Sequence, residues 1–377
     1  MSGYVSVTLG YLLGHAGVNA QQVAALVAVF FIPQTWKFLW APVADLTLTR
    51  KHWYALSAVL CAAGLLGLGL ISPSAARLPW LNAVAFGASL ATTFLAMSVE
   101  SLMAYGTPDA QRGRAGGWFQ AGNLGGLGLG GGAGLWMAEH VAQPWIPAAV
   151  LGAVCLGCCL ALFFLPEPPR VPRGESVIHG VGTVLRDLWG VVRSRGGCLA
   201  LLICFLPIGT GAAGNLWAAI SADWRASANT VALVTGVLGG VASMAGCLVG
   251  GALCDRMDRK TAYWVFGLAQ ALCAVAMALS PRTEAMYVTF VTLYWFVTGF
   301  TYAAFSAVVL EAIGVGAAAT KYNVFASLSN MPIAYMTLVD GWAHTRWGAG
   351  VMLAAEAGIC LTAVVFFMAA AAMVNKR

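Results

Sequence analysis

Charge is what this chain has least of. Only 9% of its 377 residues are Asp, Glu, Lys or Arg, while 60% are hydrophobic; an average soluble domain carries roughly 25% charge. So small a charged share excludes an ordinary water-soluble fold. Acids are the scarcer sign, 14 against 20 bases. Long polar stretches are nearly missing, and no basic segment precedes the first apolar run, so no cleavable signal is read. The sequence holds no Walker motif, nucleotide fold or catalytic constellation, which excludes a primary pump or membrane enzyme and leaves no cofactor to expect. GLGLGG, Gly126 to Gly131, is literally G-x-G-x-x-G, but it lies inside an apolar run with no strand before it and reads as close helix packing.

What is present is a succession of apolar runs, each of a length to cross a bilayer core of about 30 Å as a helix. Twelve are expected, near 1–14, 19–43, 53–72, 79–104, 115–138, 144–165, 198–220, 229–254, 261–280, 285–310, 319–343 and 349–374, which makes an all-α membrane protein. The ten cysteines fall almost entirely inside these runs. Even Cys155, Cys158 and Cys159, whose spacing mimics a metal site, have no polar second shell and read as small hydrophobes, so no metal is expected. With the N-terminus placed inside, sixteen of the 20 Lys and Arg residues fall on the inner side. That bias predicts both termini in the cytoplasm and explains the net charge of +6 without a nucleic-acid partner.

The longest polar interval, Pro166 to Gly197, is rich in Pro and Arg. It predicts a cytoplasmic linker (166–197) between two six-helix bundles, 1–165 and 198–377, with an amphipathic surface helix around Val177 to Val192. The two parts echo each other. Asp45 is followed by Arg50, Lys51 and Tyr54, and Asp255 by Arg259, Lys260 and Tyr263; Glu100 and Glu311 repeat at nearly the same offset of about 210. Projected back by that period, the first span would begin before Met1, so the first helix is expected to be truncated.

GGALCDRMDRK, Gly250 to Lys260, resembles the loop signature of the major facilitator superfamily. In it a carboxylate at a helix end and guanidinium groups in a short loop can latch helices together on the inner face. Asp45, Arg50, Asp255, Arg256 and Arg259 are the expected cytoplasmic gate. KFLWAPVAD, Lys37 to Asp45, resembles the second-helix signature of the peptide/acetyl-coenzyme A/drug transporter family of that superfamily, supported by PDAQRG (108–113), ATKYNVFASLS (319–329) and DGW (340–342). The resemblance implies a twelve-helix major facilitator fold and alternating access. It implies a secondary active transporter of the inner membrane, monomeric, importing a muropeptide-like or siderophore-like solute with protons. An efflux facilitator, an acyl-coenzyme A transporter and a non-transporting membrane sensor or assembly factor are the alternatives. Family members that carry muropeptides have a second acid where this chain has Ala96, so the substrate stays open.

Lys37 lies eight residues before Asp45, about 12 Å along a helix, and therefore below the headgroups. An ammonium there must snorkel, pair with an acid such as Glu100, or face a water-filled cavity. Ser89 and Thr93 share a helical face with Glu100; Tyr287, Tyr294, Thr298 and Tyr302 form a second polar stripe. With Asn215, Ser327, Asn330 and Tyr335 these are the expected substrate cavity. Coupling needs a buried carboxylate that can be neutralised, and Glu100, then Asp340 and Glu356, are the candidates.

Overall fold

The computed structural model describes residues 1–40, 43–44, 47–106, 112–165, 186, 189–190, 193, 195–254, 256–313 and 324–375. Among the described residues all regular structure is helical, as it must be where backbone polar groups have no water to bond. We number the helices α1 to α12. Tyr4–Leu9, π-wound, and Gly10–His15 form α1; Ala20–Trp36 is α2, tightening into a 3-10 turn at Lys37–Leu39. Then come α3 (Arg50–Leu70), α4 (Leu78–Gly106), α5 (Arg112–His140) and α6 (Ile146–Gly157), the last drawn out as a 3-10 helix over Cys158–Phe164. Arg195–Ile203 is α7, and α8 runs through Ala228–Val231, the π-wound Ala232–Leu238 and Gly239–Cys254. Arg259–Leu279 is α9 and Glu284–Ile313 is α10. A last run, Asn330–Asn375, divides at Gly348 into α11 and α12.

Side-chain caps set several starts. Asn19 and Gln22 exchange bonds across the first turn of α2, Thr49 accepts from His52 N–H before α3, and Asp258 accepts from Thr261 N–H at 2.8 Å before α9. Among the described residues, eight helical runs are long and apolar enough to cross a membrane, and one of them, Val324–Met373, contains both α11 and α12. Gly348 makes that division possible, with φ 79° and ψ 178°, a region only glycine occupies without strain. Gly348→Ala should cost about 1–3 kcal/mol and lower the thermal midpoint in detergent; an unchanged midpoint would mean the turn has another route.

The seventh helix departs from expectation. Helix was predicted over about 198–220, but α7 ends at Ile203 and the chain continues as turns, with short 3-10 pieces at Ala212–Asn215 and Ser221–Trp224. Pro207 cannot donate, and Gly209 and Gly211 adopt φ of 57° and 69°. Neighbouring hydroxyls reach the freed carbonyls: Tyr335 donates to Phe205 O at 2.7 Å and Tyr287 to Trp217 O at 2.9 Å, while Thr301 divides its one proton between Gly209 O and Thr298 O, each at 2.8 Å. Tyr287 and Tyr335, expected in the substrate cavity, thus also support an unwound segment in this conformation.

Helices α3, α4 and α6 pack together, as do α2 with α4 and α1 with α5; later in the chain α10 packs on α8 and α9, and α9 on α12. Across this grouping α2 lies along α11, and α5 along α8. One apolar cluster joins residues from α1, α2 and α4 to Trp217, Trp224, Tyr287 and Tyr294. A second, toward the linker end, gathers α7, α9 and α10 residues with Phe325 and takes Phe38 from the end of α2.

Candidate functional site

Two polar clusters sit inside the apolar bundle. The first is the seam between α2 and α4. Pro33 removes a backbone donor from the last turns of α2, which then tighten into the Lys37–Leu39 turn. Lys37 Nζ meets Glu100 Oε1 at 3.0 Å, with the lysine side chain 9% exposed and the glutamate 27%. Around this pair, Trp40 Nε1 donates to Thr93 Oγ1 at 3.0 Å, Ser89 Oγ to Phe30 O at 2.5 Å, and Gln34 Nε2 to Ser89 Oγ at 3.3 Å. The face of α4 that carries Ser89, Thr93 and Glu100 is thus sewn onto α2. Ser89 and Thr93 are fully buried in that seam, where their hydroxyls bond across it; hydrogen-bonding glue and cavity wall were both open readings of this stripe.

The second cluster lies between the unwound segment, α9, α10, α11 and α12. Tyr294 donates its hydroxyl proton to Glu356 Oε1. Gln270 Nε2 donates to Thr298 Oγ1 at 3.1 Å, and Asn215 Nδ2 to Thr337 Oγ1 at 3.1 Å. Asp340, Glu356 and Gln270 are all buried. Among the described residues, neither oxygen of Asp340, nor Glu356 Oε2, nor Gln270 Oε1 accepts a hydrogen bond of good geometry, although the Ala213 N–H stands near the Glu356 carboxylate. Among the described residues these four acceptor oxygens are costly in an apolar bundle unless a proton, a donor or a cation reaches them. Beside Asp340, Gly341 packs against Ala24 and Ala20 of α2, so this acid stands next to the contact between α11 and α2.

The other predicted residues distribute plainly. Tyr287 is fully buried against Trp217. Tyr302 is 36% exposed, the most open residue of its stripe. Ser327 is buried, and Asn330 turns back to donate to Ala326 O and Ser327 O. Tyr335 holds Phe205, as above. Of the expected gate, Arg50 Nη1 donates to Ala44 O at 2.7 Å and Arg259 opens α9, whereas Asp45 and Asp255 lie outside the described residues, as do most of PDAQRG, most of the expected linker helix and Lys321. Sequence reasoning missed Gln270 and Trp40. Gln270 left a signal, a lone amide in the apolar stretch YWVFGLAQALCAV; Trp40 left none, because a tryptophan near a membrane interface is ordinary.

Residues 1–334 match the family model of the Major Facilitator Superfamily. Anhydromuropeptide permease of Escherichia coli strain K12 is 24% identical over 320 residues, 81% of this chain. The chain spans 64% of the length of that relative, and the same figures hold for the protein of strain O157:H7. Among solved structures, a D-xylose-proton symporter superposes with a TM-score of 0.73 at 13% identity, covering 97% of this chain and 94% of its own. The nucleoside transporter NupG gives 0.72 at 12% identity, covering 98% and 95%. A bacterial homolog to the human lysosomal transporter Spinster gives 0.66 at 16% identity, covering 100% and 98%. At such identities the likeness is one of fold, and it is the fold seen here, with α2 along α11 and α5 along α8. With a family model matched over most of its length and that helix packing, the chain belongs to the Major Facilitator Superfamily.

Proposed function

We propose that the chain is a secondary active transporter of the inner membrane, with both termini cytoplasmic, that imports a muropeptide-like or siderophore-like solute with protons by alternating access between two six-helix halves, 1–165 and 198–377. The observation that carries this reading is the Lys37–Glu100 ion pair. A lysine nine-tenths buried inside an apolar bundle is costly to keep, and replacing such pairs by apolar residues is often neutral or stabilising. A pair that a proton or an acidic substrate group can open has a use in transport that it lacks as a structural brace. The relative's activity, an anhydromuropeptide permease by name, supports testing an anhydromuropeptide first and a siderophore second. Purified protein in liposomes should accumulate one of them when an inward proton gradient is imposed. Uptake of neither above that of protein-free liposomes would remove the reading.

In the same reading Asp45 and Asp255 are latches of the cytoplasmic face. Asp45→Asn or Asp255→Asn should favour the inward-open form with little loss of folding. Thiol labelling of cysteines introduced on that face should rise in both variants; unchanged labelling would discard the latch.

A further inference from the structure

Beside Glu356 lies a small, partly open cavity of about 10 Å³. Pro207, Gly209, Thr210, Gln270, Glu356 and Cys360 are in its lining. Two of the acceptor oxygens without a hydrogen bond of good geometry among the described residues, Glu356 Oε2 and Gln270 Oε1, belong to these residues, which are 5% and 3% exposed. The amide's orientation is fixed by its surroundings. Thr298 Oγ1 spends its own proton on Tyr294 O at 2.8 Å, so it must accept from Gln270 Nε2, and the amide oxygen is left for the other side. Protonating Glu356 would neutralise the acid and offer the amide oxygen a donor, so a proton is the competing way to satisfy both oxygens. Gly209 and Thr210 line the cavity, and the Gly209 carbonyl, which shares the Thr301 proton with Thr298 O, keeps a free lone pair.

We infer that Glu356, Gln270 and the Gly209–Thr210 bend bind a monovalent alkali cation of sodium size. The donor set is hard oxygen. Cys360, also in the lining, donates its thiol proton to Gly267 O at 3.4 Å and so remains a thiol, which argues against a soft metal. Magnesium keeps several waters, for which this cavity has no room, and calcium wants about 6–8 oxygens. One carboxylate balances one monovalent charge. Broken helices whose carbonyls face a cation at mid-membrane are a recurring arrangement of transporters. The cation would tie the unwound segment to α9 and α12. Its part in coupling rests on the transport reading; its binding does not.

The test is binding to purified protein in detergent. Thermal unfolding is followed in sodium, lithium, potassium and choline chloride at one ionic strength. Sodium or lithium should raise the midpoint in a saturable way and potassium and choline should not; Glu356→Gln and Gln270→Met should each lose the shift. Glu356→Gln keeps an acceptor for Tyr294, and Gln270→Met, of similar length, serves if that variant folds poorly. No difference between sodium and choline in the wild type means that the cavity holds water only and overturns the site. A sodium shift that survives both substitutions overturns it as well. Solute uptake that persists in choline medium after such a result would leave the transport reading standing.

Discussion

Glu100→Gln is expected to leave solute exchange intact and to abolish accumulation. A membrane potential of about 100 mV is worth about 2.3 kcal/mol per charge, which supports roughly fiftyfold accumulation for one coupled proton. The wild type should approach that ratio in liposomes and Glu100→Gln should fall to about one. The physical reason lies in the seam. Glu100 is 27% exposed and holds Lys37 at 3.0 Å, and in the proposed reading a proton opens this pair. Once neutral, the glutamate no longer carries a bare charge through an apolar gate. In that reading the glutamine, neutral permanently, would permit the conformational change at every step and so uncouple it from the proton. Exchange driven by labelled solute on both sides is the internal control, because a misfolded variant would lose it too. Accumulation by Glu100→Gln near the wild-type ratio would move the coupling role to Asp340 or Glu356.

The extent to which this molecule can be read from its sequence follows from how strongly each feature is constrained. Hydropathy and the 3.6-residue period are unambiguous in a bilayer, so the spans and the all-helical architecture were legible. The meeting of Lys37 with Glu100 was legible as well, because a buried ammonium has few acceptable partners and an acid at the same depth was at hand. The unwinding after Ile203 was read only as a bend. Pro207 and the glycines announce a break, but its length depends on hydroxyls of α10 and α11 that receive the freed carbonyls, Thr301, Tyr287 and Tyr335, and such long-range partners leave no local pattern. For the same reason Ser89 and Thr93 could be read as helix glue or as cavity wall. A polar stripe on one helix says that it faces something polar, and cannot distinguish a substrate from the next helix. Gln270 was visible as an isolated amide, but its importance comes from Glu356, eighty-six positions later, and the cavity between them.

The glycines of α5 supply the second large effect, and they do so one by one. A Cβ at Gly128 would stand 2.3 Å from Gly236 O, and one at Gly132 would stand 2.6 Å from Ala232 O, both on α8. At Gly126 and Gly130, in the same helix, a Cβ would meet nothing within 4 Å. The stretch that mimics a nucleotide fingerprint is therefore a contact surface with an alternating requirement, in which only some positions touch the partner backbone. Gly126→Ala and Gly130→Ala should be neutral or stabilising by about 0.5–1 kcal/mol, since alanine restrains the unfolded chain and favours helix. Gly128→Ala and Gly132→Ala must push α5 from α8, at a cost of about 1–3 kcal/mol for an overpacked contact. Because this seam joins helices that the transport reading assigns to opposite halves, the cost falls on the conformation in which they touch. Deuterium uptake over 232–240 should rise, the thermal midpoint should drop, and transport should slow in these two variants alone. Equal behaviour of all four alanine variants would show that α5 and α8 do not hold this contact in the working protein.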